Sequence, residues 1–303
     1  MIEIERPNVS VVVASFSGEQ ALDCCLESLE SQPQAVAIGE TVELIVATCI
    51  ESTALSRLQK RHPEVVFIAV PPPTDVFELR SVGVARARGQ LVALTEDHVT
   101  VSRRWLEALR AAHGAGRGVA GGPVDHGGGG WALFFCEYGL YMPPVGEGPV
   151  PTLSGVNAGY DRELLMGCRS TWEHGFHENE VHDALRAAGH ELYLVPEASI
   201  ESHLEMSFSA AARHLFSGGR QFAGYQESRS PRRVAIFRAL ASPAVPMVLL
   251  WRIFRRVARR RPRRLGRLLR VLPALVGLLS AWSAGEACGY LGPAPAAAVT
   301  EEP

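Results

Sequence analysis

Apolar and polar segments alternate in a regular order through the first hundred positions. Val9 to Ala14 is a β-branched run closed by Ser15, Phe16, Ser17 and Gly18, and it leads into a stretch with Leu22, Leu26 and Leu29 at helical spacing. Val42 to Ala47 and Val65 to Val70 form two further apolar runs, each after a polar segment compatible with a helix, and Leu91 to Leu94 forms a fourth. This order predicts β-α-β-α-β and then a short buried strand, the beginning of an open α/β sheet. Trp105, Leu106 and Leu109 predict a core helix, Gly121-Gly122-Pro123 a tight turn, and Leu192 to Val195 another strand. The glycine run 127–130 reads as a loop, since neither glycine-rich phosphate signature is present.

The pattern changes in the last third. Residues 239–251 and 271–285 are apolar and uncharged, and as helices they would reach about 20 and 22 Å, short of a hydrocarbon core of roughly 30 Å. Pro243, Pro246 and Pro273 argue against straight spans. Between the two segments, residues 252–270 carry ten arginines, so the formal charge of −2 conceals an acidic remainder. A basic block between apolar segments favours an anionic membrane surface over nucleic acid, whose binders spread basic residues over the folded domain. The first segment is expected to dip in and return or to lie along the interface, and the second to do the same or cross alone. Trp251, Trp282 and Tyr290 suit that interface. The expected division is a catalytic domain over 1–230, a membrane-associated helical segment over 231–292 and a disordered tail over 293–303.

Six cysteines, at 24, 25, 49, 136, 168 and 288, show no Cys-x-x-Cys pair or zinc-ligand spacing, which points to a reducing compartment. The opening MIEIERPNVS lacks the apolar run of a signal peptide. The expected location is the cytoplasmic face of a cell membrane.

The densest chemistry sits at the end of the fourth apolar run, where Thr95, Glu96, Asp97 and His98 crowd oxygen and nitrogen ligands at the carboxyl end of a strand. Such a cluster suits a hard divalent cation carrying a phosphorylated substrate, and it also suits a plain loop that caps the next helix.

The surrounding chain resembles the family 2 glycosyltransferases of GT-A fold over about residues 9–225. VSVVVASFS is similar to that family's opening motif, LDCCLESLESQ to its first helix, and Arg80, Gly83, Ala87 and Gly89 to its Arg-Asn-x-Gly and Ala-x-Gly elements. Thr95-Glu96-Asp97 falls on its Asp-x-Asp, with Thr95 in place of the first acid, and Thr48 and Cys49 replace the aspartates that end its second strand. GVNAGYDRELL is close to its Gly-x-Asn-x-Ala-Phe-x-Arg segment.

The resemblance implies a GT-A fold and a set of roles. Ala14, Ser15, Phe16, Ser17, Arg80, Glu96, Asp97 and Arg220 would face the nucleotide donor. Asp97, His98 and His203 would hold Mn²⁺ or Mg²⁺, and Asn157 and Glu180 would serve the acceptor or sugar. Aligning LRAAG with the family's Leu-Arg-x-Ala-Gly places Glu178 on the second carboxylate of a Glu-Asp pair, the general base of inverting members. As residues alone, Glu178 and Glu180 are also ordinary first-turn acids, Asn157 a turn closer and His203 a core histidine. A zinc-hydrolase reading of His174, His177, His182 and Glu178 fails, because His177 and His182 are five apart and about 140° off in azimuth.

The implied activity is a hexosyltransferase-like transfer from a nucleoside diphosphate sugar to a glycan or lipid-linked acceptor hydroxyl, in glycan, cell-envelope polysaccharide or glycolipid synthesis. The lost carboxylates keep open a second reading, a catalytically silent nucleotide- or glycan-binding membrane scaffold of the same fold. A nucleotidyltransferase would require a basic glycine-rich N-terminal loop that this chain does not carry.

Overall fold

The computed structural model describes residues 7–32, 41–227 and 231–292; the expected tail at 293–303 and the opening residues 1–6 lie outside them. The chain divides into two compact units, residues 1–128 with 141–203, and residues 129–140 with 204–303.

The first unit begins β1 (Val9–Ser15), α1 (Glu19–Glu30), β2 (Val42–Thr48), α2 (Ser52–Arg61), β3 (Val66–Ala69), α3 (Val76–Arg86) and β4 (Leu91–Glu96). The alternation read from the sequence is therefore realised, with β1, β2 and β4 running slightly past their apolar cores. It continues with β5 (Val99–Val101), α4 (Trp105–Gly114), β6 (Val119–Gly121) and β7 (Val124–His126). After α5 (Trp131–Tyr138), which belongs to the second unit, come β8 (Gly148–Val150), β9 (Ala158–Asp161), α6 (Arg162–Gly167), α7 (Glu178–Ala187), β10 (Leu192–Leu194) and β11 (Ile200–Ser202).

Eight strands form one sheet in the order β3-β2-β1-β4-β9-β6-β10-β8, and β5-β11-β7 form a second, smaller one. Strands β3, β2, β1 and β4 are mutually parallel, whereas β9 runs antiparallel to both β4 and β6. All seven residues of β1 are buried, as a central parallel strand covered on both faces requires. The sequence order reverses between β1 and β4, and the crevice outside their carboxyl ends is where open α/β sheets receive ligands.

Helix α3 positions the residue that matters most. Asp75 caps it by accepting from Glu78 N at 2.9 Å, and a Cβ at Gly83 would collide with the Val12 side chain, so α3 rests directly on β1. Arg80 lies one turn before Gly83 on the same face and is carried inward with it.

The second unit contains α5, α8 (Phe208–Glu227), α9 (Arg232–Ala241), α10 (Val245–Arg260), α11 (Leu265–Arg270) and α12 (Leu272–Leu291). Helices α8 and α12 meet at near backbone contact: a Cβ at Gly219 would strike the Trp282 carbonyl, one at Gly285 the Phe216 carbonyl, and one at Gly289 the Ala223 side chain. This contact corrects the boundary expected at 230, because α8 packs with the C-terminal helices and the division falls near residue 204. The segment lengths are corrected too. Residues 239–251 sit inside a continuous helical stretch of 29 residues, 232–260, long and apolar enough to cross a membrane by length and composition. Residues 271–285 lie within the 20-residue α12, which meets the stretch 262–270 at a bend of 76°. The prolines are absorbed at helix starts, Pro246 in the first turn of α10 and Pro273 in that of α12.

Candidate active site

The acidic cluster is at the carboxyl ends of β1 and β4, but the roles within it differ from those expected. Thr95 is fully buried inside β4, paired with Val13, so the acids at the strand end are Glu96 and Asp97. Asp97 is 1% exposed, and its Oδ2 accepts from Ser15 Oγ at 3.0 Å, Phe16 N at 2.8 Å and Ser17 N at 2.6 Å. A carboxylate holding two successive amides fixes the loop after β1 into one shape. Burial raises the Asp97 pKa, and the bonds from Ser17 and Ser15 and the nearby His98 oppose that rise. Its Oδ1 is buried with no hydrogen-bond partner.

This arrangement corrects part of the expected donor set. Ala14 and Ser15 are wholly buried within β1, beneath the loop, and their side chains present no exposed surface; Phe16 is half-buried and Ser17 exposed. Thr48, which replaces an expected acid, donates to Ser15 Oγ at 3.3 Å and accepts from Ile50 N at 3.1 Å, so it closes the neighbouring turn.

Arg80 was expected on the donor and is instead 5% exposed between two carboxylates. Its Nη2 donates to Glu96 Oε1, and its Nη1 donates to Glu178 Oε2 at 2.9 Å. Arg80 therefore ties the end of β4 to the first residue of α7. Gly155 packs on this bridge so closely that a Cβ would lie 2.8 Å from both Nη atoms and from Glu178 Cδ.

The Glu178 side chain keeps a quarter of its surface exposed. Burial raises its pKa, but the Arg80 guanidinium outweighs this and holds it below the usual carboxylate range. His177 precedes the same helix end without bonding to it through its side chain and stacks on Phe77 with ring centroids 4.0 Å apart; burial lowers its pKa. Glu180 follows, half-buried, in the first turn.

The three expected metal ligands do not converge. Asp97 turns toward the β1 loop, His98 Nδ1 lies 3.3 Å from Glu96 Oε2, and His203 Nε2 pairs with Thr100 Oγ1 at 2.9 Å on the small sheet. Among the described residues no group of three or more His, Cys, Asp or Glu could hold a metal ion. The orphaned Asp97 Oδ1 offers one hard oxygen, so the site fits a Mg²⁺- or Mn²⁺-type cation that takes the rest of its shell from substrate phosphates and water.

Asn157 is corrected as well. It is wholly buried; its Oδ1 accepts from Trp105 Nε1 at 2.8 Å, and its Nδ2 donates to Ala198 O at 2.8 Å and Pro123 O at 3.1 Å. A side chain so engaged cannot serve a sugar hydroxyl; it clamps α4 to the turns after β6 and β10. Buried His182, expected only as part of a rejected zinc motif, pairs with Tyr160 Oη at 2.9 Å, and burial lowers its pKa to about 4. Arg220 is exposed on α8 of the second unit.

Sequence reasoning placed Glu178 and Glu96 as separate functional acids and missed that Arg80 joins them. The one available signal was Gly155, a glycine where the chain had to pass a large polar contact.

No protein-family model matches this sequence, and no curated protein matches it. Solved structures do. The mannosyltransferase PcManGT from Pyrobaculum calidifontis, in complex with GDP-Man and Mn²⁺, is similar with a TM-score of 0.57 at 15% identity, over 93% of this chain and 88% of that one. GalNAc-T7 with UDP, GalNAc and Mn²⁺ is similar with a TM-score of 0.51 at 17% identity, over 66% of this chain and only 44% of that one. The eight-stranded mixed sheet, its flanking helices and these two likenesses establish that the chain has the GT-A fold.

Proposed function

We propose that the protein is a glycosyltransferase that moves a sugar from a nucleoside diphosphate sugar to an acceptor hydroxyl, with inversion, and that it is a divergent relative of family 2. The observation that carries this reading is the meeting of Glu96, Asp97, Arg80 and Glu178 at the switch point of a GT-A sheet. The two similar structures described above were solved with a nucleotide and Mn²⁺, which supports a donor of that class.

The donor would lie outside β1 and β4, against the loop at Phe16 and Ser17 that Asp97 holds in place. Asp97 Oδ1 would hold the cation, which supplies charge neutralisation for the departing diphosphate. Glu178 is ionised and partly exposed, so it can accept the proton of an acceptor hydroxyl as that oxygen bonds to the anomeric carbon and the bond to the nucleoside diphosphate breaks. Arg80 holds the carboxylate in position and ionised. Glu178 accepts that proton less readily than an unpaired glutamate would, and holding it in line with the reacting hydroxyl offsets this.

The test is thermal stabilisation of the protein by a panel of nucleoside diphosphate sugars with Mn²⁺, Mg²⁺ or EDTA, followed by turnover of the stabilising donor in Glu178→Gln. A metal-dependent shift with turnover lost in the variant supports the transferase; a shift with no turnover in either protein supports a silent nucleotide-binding scaffold; no shift with any donor removes the transferase and leaves the glycan-binding scaffold.

A further inference from the structure

The outward face of α9 and α10 exposes a run of large apolar side chains. Ile236, Phe237, Leu240, Met247, Val248, Trp251 and Phe254 are all exposed. Within α10, Met247, Trp251 and Phe254 follow the i, i+4, i+7 spacing that puts them on one side, while Ile253 and Val257 on another side are buried. A third side is basic, with Arg252, Arg255 and Arg259 exposed. Residues 231–292 hold thirteen arginines and one acid, Glu286. An apolar stripe flanked by arginines over so one-signed a segment is complementary to a surface with acyl chains below and phosphates at its rim.

We propose that α9 and α10 form a docking face that lies in the plane of an anionic phospholipid bilayer, with Trp251 and Phe254 inserted and the arginines at the headgroups. The stretch 232–260 is long enough to span, but two observations place it along the surface. Its inner side is occupied: Ala235 and Ala239 are buried with Ala223 and Tyr290, and Ser283 of α12 donates to the Ser242 carbonyl at the junction of α9 and α10. Arginines also stand at both of its ends, Arg232 and Arg233 at one and Arg255, Arg259 and Arg260 at the other, and a single crossing would separate them to opposite sides.

The experiment is flotation of the full chain with phosphatidylcholine vesicles, with and without phosphatidylglycerol, over a range of salt. The expected result is binding only to vesicles with phosphatidylglycerol, weakened by salt and released by alkaline carbonate. The double variant Trp251→Ser with Phe254→Ser should lower partitioning about tenfold or more with an unchanged Tm, because both side chains point outward. Arg255→Gln with Arg259→Gln should flatten the salt dependence. Absence of binding to the anionic vesicles, or binding that survives both double variants, overturns the docking face. Retention until detergent is added overturns the in-plane placement in favour of a span, and binding of RNA or DNA in place of vesicles assigns the face to nucleic acid.

Discussion

Arg80 and Glu178, 98 positions apart in the chain, meet at 2.9 Å. Because the other arm of the same guanidinium binds Glu96, the ionisation of the candidate base depends on a residue that itself faces no solvent. Glu178→Gln should reduce turnover by about 10²- to 10⁴-fold with donor stabilisation retained, measured as kcat alongside the thermal shift.

The same pair makes a pH prediction. The depressed Glu178 carboxyl stays ionised as pH falls past the ordinary glutamate value, so wild-type activity should persist into that acid range. Arg80→Met removes the opposing charge and leaves burial to raise the pKa; the acid limb of kcat against pH should move upward. An unmoved limb would assign Arg80 a purely structural part.

Gly155→Ala places a methyl group against the bridge. It should destabilise the protein by about 1–3 kcal/mol and lower kcat more than donor affinity, as read from Tm and steady-state kinetics.

Asp97→Ala frees two loop amides and the Ser15 hydroxyl together, with an expected loss of about 2–4 kcal/mol. Asp97→Asn keeps an acceptor oxygen and should retain more of the stability than Asp97→Ala. Chemical denaturation of the two variants side by side measures the difference.

His62 supplies a test far from the site. It is buried between α1 and α2, with Nδ1 2.9 Å from Glu30 and Nε2 2.9 Å from Asp23. Burial lowers its pKa, but the two carboxylates outweigh this and the net shift is upward. The stabilisation is therefore complete below the unfolded value of about 6.5 and is lost as pH rises through the higher folded value. Tm of the wild type should fall relative to His62→Gln as pH rises above about 6.5.

The succession of strands and helices at the start of the first unit was legible because β1 is a β-branched run and β2 and β4 are short apolar runs separated by polar helical segments; the order of the strands within the sheet was not. The acids of the site were legible as a cluster on one strand end. Their partners were not, since Arg80 and Glu178 belong to separate segments and pairing depends on how α3 settles on β1 through Gly83. Asn157 misled for a related reason: a short amide reads the same whether it meets a sugar or an indole N–H, and only the approach of Trp105 decides. The first helix of the last third was read as too short because Arg238 and Arg252 bound the uncharged run 239–251, whereas the helical stretch continues past both.

The glycine contacts between α8 and α12 bear on how the second unit can respond to a load. Helices joined through side chains can slide by repacking rotamers, whereas Gly219, Gly285 and Gly289 bring main chain against neighbouring atoms with no side chain of their own to rearrange. The pair should therefore move as one body, and an added methyl at Gly285, which would meet the Phe216 carbonyl, would force the two helices apart.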